Sequence, residues 1–435
     1  MFASSTLRMA VLTAMALTMP CAAAAAGPDV PLPAAATQTM EQRLEQLERH
    51  LRESAAAVPS TAPIASAADA PTTGSPASQV AVAGYVETFY QWNFNEPDNG
   101  LTNYRGFDNR HHTITLQNAV LDVVGAVGAV TTHLAVQFGH TPEMYYLAEP
   151  YSPGSAATGP SGPQVWKFLQ QANVTWLAPV GRGLTVDAGL FLSPIGPEGM
   201  AVKDQWNWSR SNLFVGLPFY HAGARATYPL GEYSSLSLQL YNGWNSVSDR
   251  NDALAVAGQF TYSRPDKVTV NLLYFGGIER DRHAPEGRPW RHLVDAYAAI
   301  HAKPWLSFLV EANGGYEATR QGDSGWAAAA GYLRLKPAPW LAFAARADLF
   351  REWIGSSAAG AAAPIFWAGA NWVASQTLTV DVRPADRLSL RLELRRDAAE
   401  APLFFKGAVP VTATGAPLAN AADQATVTLG AVAWF

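Results

Sequence analysis

Segment after segment of this chain alternates apolar and polar residues at a period of two. Leu184, Val186, Ala188, Leu190 and Leu192 interleave with Thr185, Asp187, Gly189 and Ser193. Leu236, Leu238 and Leu240 interleave with Ser237, Gln239 and Tyr241, and Leu388, Leu390, Leu392 and Leu394 with Ser389, Arg391, Glu393 and Arg395. Such alternation reads as β-strand with one apolar face. No helical layer is available to cover these faces, so they must meet lipid or one another. Lipid is the simpler answer for so many strands of about 10 residues. Composition agrees: 49% of residues are hydrophobic and only 15% charged, against roughly 25% charged in soluble domains. Past the N-terminus no apolar run reaches the ~18 residues of a membrane helix. The class is all-β, a transmembrane antiparallel up-and-down barrel preceded by a short periplasmic helix.

Tight turns recur at Pro179 to Gly183, Pro229 to Glu232, Pro265 to Lys267, Lys303-Pro304, Lys336 to Pro339 and Pro384 to Arg387. Between them lie long Gly-, Asn- and Pro-rich segments: Asn95 to Arg110, His140 to Gly162, Pro194 to Pro218, Ile278 to Pro289, Gly355 to Pro364 and Ala398 to Asp423. Short periplasmic turns alternating with long extracellular loops give about 16 strands. The first strand, Gln79 to Phe94, sets Val80, Val82, Val86, Tyr90, Trp92 and Phe94 on one face and Glu87, Gln91 and Asn93 on the other. The last, Gln424 to Phe435, puts Val427, Leu429, Ala431, Ala433 and Phe435 on the apolar face. Its ending, Trp434-Phe435, resembles the signal by which Gram-negative outer-membrane barrels are recognised by their assembly machinery.

Residues 1–26 read as a signal peptide: Arg8, an apolar run from Met9 to Met19, and Ala-x-Ala cleavage sites. Cys21, the single cysteine, excludes a disulfide framework, and Met19-Pro20 before it is a poor lipidation context. Removing the segment takes the formal charge from −5 to −6, since it carries Arg8 alone. Such a balance offers no nucleic-acid footprint. Residues 27–78 form a periplasmic extension. Within it a helix over 39–54 opens on a capping box, Thr39 with Gln42, and repeats Met40, Leu44, Leu47 and Leu51 at 4-3-4 spacing. Two readings stay open: an amphipathic helix packed on the barrel, or a short coiled coil joining three barrels into a homotrimer. An Ala/Pro/Ser linker follows, and the barrel occupies 79–435.

Several ordered motifs lie between Gly84 and Gly277: G-Y-V-E-T-F-Y-Q-W-N-F-N-E-P from Gly84, R-G-F-D-N-R-H-H from Arg105, L-S-P-I-G-P-E from Leu192, K-D-Q-W-N-W-S-R-S-N-L-F from Lys203, P-F-Y-H-A-G-A-R from Pro218 and Y-N-G-W-N from Tyr241. Together they resemble the OmpL-like outer-membrane β-barrel porin family, porin-2. That resemblance implies a barrel in the bacterial outer membrane that passes solutes.

With apolar faces outward, the alternate residues face a lumen. Acidic candidates are Glu87, Asp187, Asp295, Glu311, Asp348, Asp381 and Glu393; basic ones are Lys167, Arg225, Arg334, Arg346, Arg391 and Arg395. Mixed signs form a transverse field that orients polar solutes; each residue can equally be a structural ion pair. The loop Pro194–Pro218 either folds inward, with Lys203, Asp204 and Arg210 at a constriction faced by His221 and Arg225, or packs outside. Gly322-Asp323-Ser324-Gly325 looks like a serine-protease signature, here in a short loop between strands without the surrounding fold. His111-His112 and His283 lack metal-ligand spacing, and no phosphate loop occurs. The expectation is a non-enzymatic channel without cofactor or metal, surrounded by outer-membrane lipid and passing small polar solutes by passive diffusion. The alternative is a structural or adhesive barrel acting through its long loops, and an outer-membrane hydrolase ranks third.

Overall fold

The computed structural model describes residues 79–435 apart from 152–153, 155–158, 250, 265 and 368–369. The signal peptide, the helix with Met40, Leu44, Leu47 and Leu51, and the linker lie outside the described residues. Strands β1 (Gln79–Asn93), β2 (Ile114–Val127), β3 (Val130–Phe138), β4 (Leu169–Ala178), β5 (Leu184–Leu192), β6 (Tyr220–Pro229), β7 (Ser234–Tyr241) and β8 (Ala255–Arg264) form the first half. The second half is β9 (Val268–Ile278), β10 (Trp290–Lys303), β11 (Leu306–Thr319), β12 (Gly322–Ala338), β13 (Leu341–Trp353), β16 (Trp372–Ala385), β17 (Leu388–Ala399) and β18 (Asp423–Trp434). These pair antiparallel, each with its chain neighbours, into one closed barrel. A two-stranded ribbon, β14 (Ser356–Ser357) and β15 (Gly360–Ala361), sits in the loop before β16. Three short helices, α1 (Thr141–Tyr145), α2 (Pro163–Trp166) and α3 (Asn212–Val215), lie in loops.

Closure removes the unpaired sheet edge that lipid could not solvate. At the seam β1 runs against β18 from Tyr85↔Trp434 to Asn93↔Thr426. Phe435 N–H donates to Gly84 O (3.0 Å) and Gly84 N–H to Phe435 O (3.3 Å). A Cβ on Gly84 would lie 2.6 Å from Val120 O and 2.7 Å from the Phe435 ring, so only glycine lets the terminal phenylalanine dock.

The register fixes what each face does, because directly paired residues share a side. Val86, Leu121, Leu134, Trp176, Leu238, Leu272, Val310, Leu349, Leu378, Leu392 and Leu429 are exposed on the outside and form the lipid band. Trp305 and Trp340, both exposed, occupy tight turns at the end that carries the N- and C-terminal strand ends, as an interfacial aromatic girdle does. Trp434 is different: it pairs with inward Tyr85 and packs against Phe89, Trp208 and Val432, while Phe435 is exposed outside.

Several connections differ from the sequence reading, among them an added tight turn at 128–129 and a β16 that runs on through Pro384 and Ala385. β12 begins at Gly322, so Gly322-Asp323-Ser324-Gly325 opens a strand and the turn is Arg320-Gln321. It is the one tight connection at the long-loop end. β12 also runs through Lys336 to Ala338, because Lys336 N–H still pairs with Trp305 O (2.8 Å). A further long loop, 242–254, separates β7 from β8; it includes Asn245 and Asp252 at positive φ, a conformation these residue types tolerate.

Candidate functional site: the inner wall and the loop lodged in it

The 193–219 loop leaves β5 and crosses to β13, β16 and β17, β13 being eight strand steps away around the ring of sixteen. Wall side chains reach its backbone along the way. Asp295 Oδ1 accepts Gly196 N–H (3.2 Å), Glu87 Oε1 accepts Val202 N–H (2.5 Å), and Glu393 accepts Trp208 and Ser209 N–H (2.5 and 3.0 Å). Asp348 accepts Asn212 Nδ2 (2.7 Å). Arginines supply the opposite half. Arg346 donates to Ser209 O (2.7 Å) and Arg210 O (3.1 Å), Arg391 to Asn207 O (3.0 Å), and Arg395 to Arg210 O. A loop backbone withdrawn from water needs such partners, and charged ones are the strongest available.

The same segment holds itself together. Glu198 accepts Ser211 N–H and Oγ (2.8 and 2.6 Å) and pairs with Arg346 (2.9 Å). Ser211 caps α3 by accepting Phe214 N–H (3.2 Å), an N-cap bond. Trp208 lies under Gly430, where a Cβ would fall 2.3 Å from the indole.

The expected lumen residues thus divide by surroundings. Glu87, Glu311, Arg346, Asp348, Arg391, Glu393 and Arg395 are all buried inward. Glu311 lies across from Tyr297, next to Asp295. Arg210 is buried as well: its guanidinium donates to Gly199 O (3.0 Å), Trp208 O (2.9 Å) and Met200 O, inside its own loop. His221 stacks on Tyr241 at 4.2 Å and contacts Ser193 Oγ and Gly243 O (3.2 Å each). Lys167 is in the loop after α2, paired with Glu143 (3.0 Å). Groups that still meet water include Lys203 and Asp204 (2.8 Å apart, 28% and 63% exposed), Arg225, 29% exposed on Asp187 at 2.7 Å, and Arg334. Nearer the tight-turn end, Asp122 and His133 pair at 2.7 Å with both side chains part exposed.

Sequence reasoning missed two contributors. Loop 94–113 also enters: buried Arg105 contacts Asp108, Asp397 (3.6 Å) and Glu393 (4.0 Å), and Asp108 carboxyl is held below the usual range against its burial by Arg105 and Arg395. Glu198 was the other. Their strand partners, Asp397 and Glu393 for Arg105 and Arg346 for Glu198, are far away in the chain, so no local pattern marks them. His140, at the start of the next loop, contacts Asn109 Oδ1 (2.5 Å); burial and neighbouring Arg110 depress its pKa to about 4.

Among the described residues, no group of three or more His, Cys, Asp or Glu could hold a metal. Ser324 is buried and its Oγ accepts Gly355 N–H (3.0 Å).

Solved structures with this architecture include the outer membrane channel DcaP of Acinetobacter baumannii (TM-score 0.53, 10% identity, 82% of this chain and 97% of that one). An anion-selective porin from Comamonas acidovorans aligns with TM-score 0.53 at 12% identity over 82% and 100% of the chains. OmpT of Vibrio cholerae in its trimer form gives 0.50 at 9% identity over 82% and 100%. At such identity the likeness is one of fold. No curated protein sequence matches the chain. The model of the family described as "Putative beta-barrel porin-2, OmpL-like" matches residues 79–435, and the chain therefore belongs to this family of outer-membrane β-barrel porins.

Proposed function

We propose that small hydrophilic solutes cross the outer membrane passively through this barrel, along a path narrowed by the 194–218 loop and running past Lys203 and Asp204. The observation that carries the reading is the one-sided solvation of the loop: its backbone is tied to wall carboxylates and arginines while Lys203 and Asp204 stay open to water. Glu87, Asp187, Glu311, Arg346, Asp348, Arg391, Glu393 and Arg395 then act chiefly by holding the loop or each other, and Arg225 by presenting charge to the path. Refolded protein in planar bilayers tests this. Discrete ohmic steps are expected, rising severalfold when residues 201–206 are replaced by a shorter Gly-Ser segment. Silence in both proteins would instead favour a structural or adhesive barrel.

The assembly is proposed to be a homotrimer, in keeping with the trimer form of Vibrio cholerae OmpT and the heptad seam Met40, Leu44, Leu47 and Leu51. Removing residues 39–54 should lower the mass seen by light scattering in detergent. Exposed Phe435 is proposed as the mark read by the barrel assembly machinery; deleting it should reduce membrane-inserted protein.

A further inference from the structure

Beneath the loop, toward the tight-turn end, two arginines pair with one carboxylate and a third, Arg334, lies in its field. Arg383 Nε lies 3.2 Å and Arg391 Nη2 3.7 Å from Asp381 Oδ2. Ser389 Oγ donates to Asp381 Oδ1 (2.6 Å). Arg334, on β12, has Arg383 and Asp381 as its charged neighbours, and its side chain makes no hydrogen bond with any described residue. Ala342 and Ala344 on the intervening strand β13 are buried, and their small side chains leave the long arginines room over the wall. Arg391 itself is buried at 2% exposure, spends Nε on Ser389 (3.1 Å) and Nη1 on Asn207 O, and leaves Nη2 without a hydrogen-bond acceptor. Glu393, the next acid along β17, is already taken by Trp208, Ser209 and Thr379.

Three positive charges meet Asp381 and, at Arg391, a Glu393 shared with Arg105 and Arg346, so positive charge is in excess here in a chain whose overall balance is −5. The guanidinium face is reachable: the Arg383 side chain is 26% exposed, Arg334 is part exposed, and Arg383 lies 5.8 Å over the Trp434 ring. Guanidinium forks match the paired oxygens of carboxylate and phosphate. An excess of buried, incompletely bonded arginine is stable when an anion completes it.

We propose that Arg334, Arg383 and Arg391 form a binding site for small doubly charged oxyanions, phosphate or dicarboxylate, on the periplasmic side of the loop. This deepens the channel reading and rests on it for its physiological role, because the site lies on the route that reading assigns to solutes. Arg391 and Asp381 set the floor of the site; Arg334 and Arg383 are its part-exposed walls.

The test is calorimetric titration of inorganic phosphate and of succinate into the folded, detergent-solubilised full chain in a chloride background. Wild type should bind at least one of the two anions saturably at about one per chain. R334Q/R383Q should bind at least tenfold more weakly. R334Q alone, which removes no hydrogen bond, should weaken binding at least threefold and guards against misfolding of the double variant. R182Q, in an exposed turn, controls for loss of a positive charge as such and should match wild type. Preference for phosphate or for succinate would say which anion the site is built for. No saturable binding of either by wild type, or equal weakening in R182Q and R334Q/R383Q, overturns the proposal. Bilayer recordings on the same preparations separate the two ideas: binding without conductance would sink the channel reading and leave the site.

Discussion

Arg346 shows how much one side chain carries in this barrel. It pairs with Glu198 and donates to Ser209 O, Arg210 O and Thr377 Oγ1. Replacing it by methionine leaves the Glu198 charge unpaired and Ser209 O without its donor in a buried setting, and breaking a buried charged pair on one side costs about 3–5 kcal/mol. Arg346→Met should therefore lower the urea midpoint of unfolding and raise amide exchange in residues 205–212; an unchanged midpoint and exchange rate would contradict the docking role. His140 gives a pH-dependent case. Its pKa in the folded chain is about 4 against an ordinary 6.5, so folding favours the neutral ring. Its stabilising contribution is complete above pH 6.5 and is lost progressively as pH falls through 6.5 toward 4. Amide protection factors, which take out the intrinsic pH dependence of exchange, should fall around residues 107–112 and 140–147 over that window and stay level in His140→Gln. Identical profiles in the two proteins would refute the assignment. Alternation alone correctly turned Arg391, Glu393 and Arg395 inward, but not toward their partners. Whether an inward charge meets water or a loop depends on Asn207 to Arg210, about 184 residues earlier in the chain, and no periodicity spans that distance.

Among the elements, the strands and the places of most long loops were legible, but not where the loops go. A strand half in lipid must repeat its pattern at every second residue, so even β18 declared its two faces. The loops carry no period. The 242–254 connection, for all its Asn, Gly, Ser and Asp residues, is missing from the expected long loops, and the short connection expected at Gly322–Gly325 lies two residues earlier, at Arg320-Gln321. Trp434 illustrates a mixed case: the alternation put it on the inner face, yet its packing against Phe89, Val432 and Trp208 depends on the loop arriving there. Two glycines carry element-scale consequences. Gly84→Val places side-chain carbon where the Phe435 ring and Val120 O already lie. The β1–β18 seam should then close poorly, seen as loss of the heat-modifiable folded band on gels. Gly430→Leu should spare closure and instead evict Trp208, raising single-channel conductance. Normal folding of the first variant or unchanged conductance of the second would count against these roles.

At the scale of the whole molecule, sixteen strands make a wall whose outer surface is apolar and whose inner surface is polar, charged and partly filled by its own loops. The fold satisfies lipid and water at once: every strand pairs on both edges, and the charges excluded from the outside find either a loop or solvent within. The account stands or falls on whether that solvent is continuous past Lys203 and Asp204. The chain has one cysteine, Cys21, ahead of the barrel, so a cysteine-free background needs one change. In that background, Asp204→Cys and, on the lipid face, Leu392→Cys can each be treated with a charged, membrane-impermeant thiol reagent during bilayer recording. The expected result is a stepwise fall of at least half in the conductance of the Asp204→Cys channel and no change in the Leu392→Cys channel. Unaltered conductance through a fully labelled Asp204→Cys protein would contradict it.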